Sequence, residues 1–320
     1  MSLSTPVAFF VFNRPDLTRR VFSAIAEAKP AILLVVADGP RSSEEAILCD
    51  ETRAVIEQVD WNCEVFTNFS PENLGCGRRV ASGIDWVFSR VEESIILEDD
   101  CLPVASFFSY CQNLLEQYRQ DERVMTINGT NFQSGQTRTE YGYHFSKYSA
   151  SWGWASWRRA WKYYDYELKN WPALKQIGMV ETMCEDPYEQ KFWIRLFDSI
   201  HDKTSRIDTW DHQWNYACWS QNGLAVEPKV NLVANLGFGR PDATHTSTSN
   251  NPVLERLSLP EELTEIHHPP FVVRNREADT YIFDHVIGGK KMKEYDAPLG
   301  QLRRRLYTIR QKTRALYCSP

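Results

Sequence analysis

The run Val7-Ala8-Phe9-Phe10-Val11-Phe12 is apolar at every position. A strand with one wet face alternates between apolar and polar residues, so an unbroken run implies cover on both faces. The same demand recurs at Ile32–Ala37 and again at Ser94–Leu97, and Cys63–Phe69 makes a further strand. Between these runs the apolar residues change to helical spacing: Leu17, Val21 and Ile25; then Ala46, Ala54 and Ile56; then Val80, Ile84, Val87 and Val91 within Gly75–Val91. Asn13 is placed to cap the first helix, Pro15 suits its first turn, and Asp38-Gly39-Pro40 stops the second strand. Phe107, Cys111, Leu114, Leu115 and Tyr118 predict another helix before a strand at Val124–Asn128. This β-α-β-α order predicts an α/β fold with a mostly parallel central sheet and helices on both faces. In such sheets ligands bind beyond the carboxyl ends of the strands, where the strand order reverses.

Composition excludes several classes. A formal net charge of −6 over 320 residues gives no electrostatic case for a nucleic-acid partner. No apolar run approaches the ~20 residues of a membrane span. The first apolar run lacks a basic leader, so it reads as a strand and the expected location is cytoplasmic. The eight cysteines form no C-x-x-C pair and supply no zinc spacing.

The chain divides by texture. Residues 1–132 carry the alternating pattern expected of a nucleotide-binding half. Residues 133–252 begin with a polar loop and then place twelve aromatic residues between Tyr141 and Trp171, which fits either a packed wall or a sugar-binding surface. Residues 253–320 read as a C-terminal extension. Its stretch from Lys290 to Arg314 carries nine Lys/Arg against two acids with apolar residues at helical spacing, a basic amphipathic helix that suits a solvated surface or a peripheral membrane contact.

The polar residues that punctuate the strands are the chemical candidates. Glu98-Asp99-Asp100 follows the apolar run Ile95-Ile96-Leu97 directly. Three adjacent carboxylates at the end of a buried strand repel one another, and Mg²⁺ or Mn²⁺ with oxygen ligands relieves that repulsion. Strand alternation points Glu98 and Asp100 one way and Asp99 the other. Arg14 follows strand one and Asp38 follows strand two. They are either turn residues or groups that contact a phosphate and the imide of a base. Asn73-Leu74-Gly75-Cys76-Gly77-Arg78-Arg79 opens a helix, where backbone N–H groups and Arg78 suit a diphosphate. In Trp210-Asp211-His212-Gln213-Trp214 the carboxylate between tryptophans is either a helix cap or a general base. Gly237–Thr246 contains His245, a candidate metal ligand.

These residues resemble the GT-A nucleotide-sugar glycosyltransferases. Pro6–Arg14, the Asp38 turn, the triplet and the following Phe107-Phe108-Ser109-Tyr110 are similar to N-acetylglucosaminyltransferase I and its protein-O-mannose relatives, whose acidic motif also reads Glu-Asp-Asp. Ser151-Trp152-Gly153-Trp154 through Asn170-Trp171-Pro172 resembles the segment after their donor site, and bacterial surface-polysaccharide sugar transferases look similar in overall style. The resemblance implies that Asp100 holds the metal and that Glu98 and Asp99 face donor hydroxyls. It places Arg14 and Asp38 around uracil and Asn13, Arg78 and Trp154 within the donor site. It also makes Asp211 the base, although Trp210–Trp214 has one residue more than the family's Trp-Asp-Asp-Trp and lies farther along the chain. Asp208 and Asp186 are the neighbouring alternatives.

The expected function is metal-dependent, inverting transfer of a sugar from a UDP-sugar to a glycan or lipid-linked saccharide acceptor. Two alternatives stand beside it. One is a sugar-1-phosphate nucleotidyltransferase, although Asn13-Arg14-Pro15 replaces the glycine-rich loop of that class. The other is a non-catalytic carbohydrate-binding protein on the same fold.

Overall fold

The computed structural model describes residues 3–205, 208–240, 257 and 259–297. The first strands and helices alternate as the sequence predicts: β1 (Val7–Val11), α1 (Pro15–Ala28), β2 (Ile32–Ala37), α2 (Ser43–Ala54), β3 (Glu64–Phe69), α3 (Cys76–Arg90) and β4 (Glu93–Glu98). Then come β5 (Cys101–Pro103), α4 (Ala105–Gln117), β6 (Val124–Asn128), β7 (Tyr143–Ser146) and β8 (Trp154–Trp157). Short helices α5 (Arg158–Trp161), α6 (Trp171–Gln176) and α7 (Met179–Met183) lead to α8 (Pro187–His201) and α9 (Asp211–Ser220), followed by β9 (Leu224–Pro228) and β10 (Val233–Asn235).

Eight of these strands form one sheet in the order β3-β2-β1-β4-β8-β6-β9-β7. The four strands β3, β2, β1 and β4 are mutually parallel, and β8 enters antiparallel between β4 and β6. The fold is thus α/β with a mostly parallel central sheet and helices on both faces. The chain moves outward from β1 to β2 and β3, then returns to place β4 on the other side of β1. The reversal therefore lies between β1 and β4, and the crevice beyond their carboxyl ends is where such a sheet admits a ligand.

Period-two alternation divides the core between two layers. Val7, Phe9, Leu33, Val35, Ile95 and Leu97 pack with Val21 and Ile25 of α1 and Phe107 and Leu114 of α4. Ala8, Phe10, Leu34, Val36 and Ile96 face Val80, Ile84 and Val87 of α3, together with a cluster of tryptophans. In that cluster Trp154 stacks on Trp210 at 5.5 Å between ring centroids, and Trp161 packs against Trp214 at 5.1 Å and Tyr164 at 4.0 Å. Most of the aromatic-rich segment is therefore wall and strand. It supplies β7 and β8, two strands that the periodicity of the sequence does not single out.

The first helix differs in its capping. Arg14 rather than Asn13 occupies the cap position, and its side chain caps nothing. Asn13 instead donates through Nδ2 to Glu45 Oε1 at 2.8 Å. Past residue 257 the chain is stitched to the sheet. Glu262 accepts from the backbone N–H groups of Ala105 and Ser106 at the start of α4, which has no side-chain cap of its own. Asp279 accepts from Ser146 Oγ at 2.6 Å, and Asn275 N–H donates to Phe145 O at 2.7 Å. Of the expected basic C-terminal helix, Gly289–Asp296 is helical and residues from 298 onward lie outside the described residues.

Beside β7, Glu227 of β9 is fully buried with its Oε1 3.8 Å from His144 Nε2. Glu227 Oε1 receives Gln133 Nε2 and Phe132 N, each at 3.3 Å. Among the described residues neither ring nitrogen of His144 nor Glu227 Oε2 has a hydrogen-bond partner. Burial pushes the Glu227 carboxyl up to about 8 and the His144 imidazole down to about 4. A carboxyl raised in the folded state contributes stability that is full below its unfolded value and is lost as pH rises through the folded one. Glu227→Gln mimics the neutral acid, so the variant's stability advantage over the native chain should grow as pH rises from about 5 to about 8.5. It should reach on the order of 3 kcal/mol in urea titrations; a gap that shrinks over that range would refute the assignment.

Candidate active site at the sheet switch point

The crevice between β1 and β4 is closed by charge. In β4 the register pairs Phe10 with Glu98, so Asp99 and Asp100 project just past the end of β1, where Arg14 opens α1. Arg14 Nε donates to Asp99 Oδ2 at 3.3 Å, Nη2 donates to Asp99 Oδ1, and Nη1 donates to Asp100 Oδ2 at 3.1 Å. The planar guanidinium thus spans both carboxylates, a geometry an ammonium cannot copy. Burial opposes the charge on Arg14, yet Asp99 and Asp100 outweigh it and hold the guanidinium above its ordinary value. Burial raises the Asp99 carboxyl although Arg14 pulls the other way.

Alternation sends Glu98 to the opposite side, with Ile96, toward α3 and the tryptophans. There its carboxyl is held well above the usual range, first by burial and then by Asp100 and Asp99, with Asp211 adding to the effect. Cys76, at the start of α3, senses the same acids: burial raises its thiol most, followed by Glu98, Asp208, Asp211 and Asp100. Glu98 thus feels Asp100, Asp99 and Asp211 as like charges and Arg14 as the countercharge, while Cys76 feels Glu98, Asp208, Asp211 and Asp100.

Asp211 is the first residue of α9, a helix whose Trp214 and Trp219 are buried in the aromatic layer. Asp211 Oδ1 accepts from Thr209 Oγ1 and from the backbone N–H of His212 at 2.9 Å. The side chain is 38% exposed, so the carboxylate is held from below and open above. Asp208 has a different place. Its Oδ1 accepts the Gly77 N–H at 3.0 Å, capping α3 at the position where a diphosphate was expected. Gly77 permits this approach, because a Cβ there would stand 2.6 Å from that same oxygen. The pair Gly75 and Gly77 was the sequence signal for a close visitor to this helix end; the visitor is a carboxylate of the chain itself.

The other expected donor contacts separate. Asp38, at the end of β2, accepts from the N–H groups of Gly39 at 2.9 Å, Leu74 at 2.9 Å and Gly75 at 3.2 Å. Burial raises its carboxyl against these bonds, and the group ties the 72–75 loop to the sheet. Arg78 is 64% exposed, lies over the Tyr166 ring at 5.0 Å and stands 4.0 Å from Glu167. Trp154 corrects an expectation: it has no exposed surface, since β8 lies inside the sheet and its ring is enclosed by Trp161, Trp210 and Trp214. Asp186 caps α8 and pairs with Lys293 at 2.5 Å, away from the acidic crevice. His245 lies outside the described residues.

The loop after β10 does reach the triplet. β10 pairs antiparallel with β5, Leu236 N–H donates to Asp100 O at 2.7 Å, and Arg240 Nη1 meets Asp16 Oδ2 on α1 at 2.7 Å. As donors, the carboxylate oxygens suit a hard divalent cation. Among the described residues no three His, Cys, Asp or Glu side chains converge as a metal-holding set. Asp100 Oδ2 is committed to Arg14, and Oδ1 faces Cys101 Sγ at 3.5 Å.

No protein-family description matches this sequence, and no curated protein does. Among solved structures, a UDP-glucose pyrophosphorylase complexed with UDP-glucose is similar over 79% of this chain and 97% of its own, at 9% identity and a TM-score of 0.36. HddC from Yersinia pseudotuberculosis is similar over 52% of this chain and 85% of its own, at 10% identity and a TM-score of 0.30. Likeness at this level assigns no substrate. No helix among the described residues is long and apolar enough to cross a membrane.

Removing Arg14 leaves Asp99 buried without its partner. Arg14→Ala should therefore destabilise the chain by about 3 kcal/mol at neutral pH in urea titration, and Arg14→Lys should recover only part of that. Equal stability of all three proteins would mean that the pair is not a structural requirement.

Proposed function

We propose that the chain is a glycosyltransferase that moves a sugar from a UDP-sugar to a hydroxyl acceptor with a divalent cation, Mn²⁺ or Mg²⁺, in attendance. The observation that supports this reading is that Glu98, Asp99 and Asp100 stand at the end of β4 at the β1/β4 switch point, where Arg14 pairs with Asp99 and Asp100 and Glu98 also feels the charge of Asp211. Adjacent acids repel one another, and a hard cation held there beside a diphosphate would relieve the repulsion.

Asp100 is the residue to hold the cation, with the donor's diphosphate oxygens completing the ligand set. The bound cation supplies charge to stabilise the departing diphosphate. Arg14 orients Asp100 and Asp99 through its fixed fork, so the acids are placed before the donor arrives. Asp211 takes the acceptor's hydroxyl proton at its exposed oxygen. The acceptor oxygen then forms its bond to the anomeric carbon as the carbon–phosphate-oxygen bond breaks, and UDP leaves with the electron pair. Attack from the face opposite the leaving group inverts the anomeric centre.

Calorimetry with UDP and Mn²⁺ tests the site, and UDP release across a panel of UDP-sugars tests the reaction. Asp100→Asn should abolish metal-dependent UDP binding. Asp211→Asn should retain that binding while lowering turnover at least about 100-fold, the range of a lost general base. Pyrophosphate release from a nucleoside triphosphate, or Mn²⁺-independent binding unaffected by Asp100→Asn, would overturn the proposal in favour of the nucleotidyltransferase or binding-protein reading.

A further inference from the structure

Outside the acidic residues, the same end of the sheet carries three half-buried aromatic rings that pack on one another. Phe132 lies 5.8 Å from Trp152, and Trp152 lies 5.2 Å from Phe238, with the last two rings edge to face at 86°. Their backbones are fixed by the site's own framework. Ile96 of β4 pairs with Trp154 of β8, and Glu98 and Trp152 each lie two residues past that pair at the same end of the sheet. Trp152 O accepts from Thr130 Oγ1 at 2.8 Å. The next residue, Gly153, has φ +64, accepts from Gly129 N–H at 2.7 Å, and has room for no Cβ, which would meet Val233 at 2.7 Å. Phe238 follows Leu236, whose N–H is bonded to Asp100 O at 2.7 Å. Two residues of chain reach at most about 7 Å, so the Phe238 backbone stands close to the triplet.

We infer that Trp152 and Phe238, backed by Phe132, hold a saccharide acceptor by ring stacking at the same sheet end as the β4 triplet. A sugar offers an apolar C–H face with hydroxyls around its edge, and half-buried aromatic rings match that face while the hydroxyls stay solvated. The strand order supplies the assignment to acceptor. On the transferase reading a donor's nucleotide would lie over β1 and β2 and its diphosphate at the β4 triplet, and β8 and β6 are the next strands in the sheet. The rings hang at those two strand ends. Trp154, the tryptophan expected to face a ligand, is enclosed, and Trp152 is partly buried with some surface exposed. The assignment to an acceptor rests on the transferase reading above; the stacking surface itself does not.

The test is saturation-transfer NMR on the full chain with methyl α- and β-glycosides of glucose, galactose, mannose and N-acetylglucosamine. Selective irradiation of the aromatic protons should reach the ring C–H protons of at least one glycoside, and Trp152→Ala or Phe238→Ala should weaken its binding about tenfold. Trp152→Phe, which keeps a ring, should restore most of it, and thermal melts show that each variant folds. UDP binding with Mn²⁺, measured on the same samples, should survive in both alanine variants. Saturation transfer that is absent, or unchanged by both alanine variants, overturns the inference whether or not UDP binds. Saturation transfer that disappears in the alanine variants, in a native chain that fails to bind UDP, would retain the stacking surface and sink the transferase reading alone.

Discussion

Everything at the functional end of this fold is arranged around one ion-paired cluster, Arg14 with Asp99 and Asp100. A parallel sheet ends its strands side by side, so placing β4 next to β1 brings whatever follows both strands into one crevice. Two carboxylates arriving there together would repel across a partly desolvated gap. The guanidinium spans both, which lets the strand end in acids without opening the crevice. The pairing also commits one oxygen of Asp100 and leaves the other with only a weak thiol contact.

The two faces of the sheet divide the charge unequally. Asp99 turns to the α1 side and pairs with the arginine; Glu98 turns to the α3 side, where burial, Asp100 and Asp99 raise its carboxyl and Arg14 offsets only part of that. Asp208 is neutralised there by the start of α3, which offers N–H groups rather than a cation. Asp211 is instead held by Thr209 Oγ1 and the His212 N–H.

Much of this was legible in the sequence for a simple reason. Buried parallel strands advertise themselves as unbroken apolar runs, and their ends are marked by polar residues, so Val7–Val11, Ile32–Ala37 and the triplet could be placed without coordinates. The second half was harder, because tryptophans serve both walls and ligand sites. Nothing local distinguishes Trp154, inside the sheet, from Trp152 two residues earlier; the antiparallel entry of β8 between β4 and β6 decides it. Asp38 and Arg78 illustrate another limit. Each sits at a strand end or helix start as a ligand contact should, but one is occupied by the backbone of the 72–75 loop and the other lies outward over Tyr166. Such occupancy depends on loop geometry that strand periodicity does not encode.

The buried tryptophans nevertheless bear on the chemistry. Asp211 begins α9 immediately after Trp210, and Trp210 stacks on Trp154 while Trp214 packs on Trp161. Rings of this size have few rotamers and interlock, so the first turn of α9 is fixed to β8, and β8 is hydrogen-bonded to β4. The carboxylates at the end of β4 and the carboxylate at the start of α9 are therefore held by one rigid body. A general base must keep its distance from the reacting centre to within a fraction of an ångström, and a loop-borne aspartate does so poorly. For the general base proposed at Asp211, the aromatic layer gives the firm footing that a surface turn would lack, although most of its rings are buried.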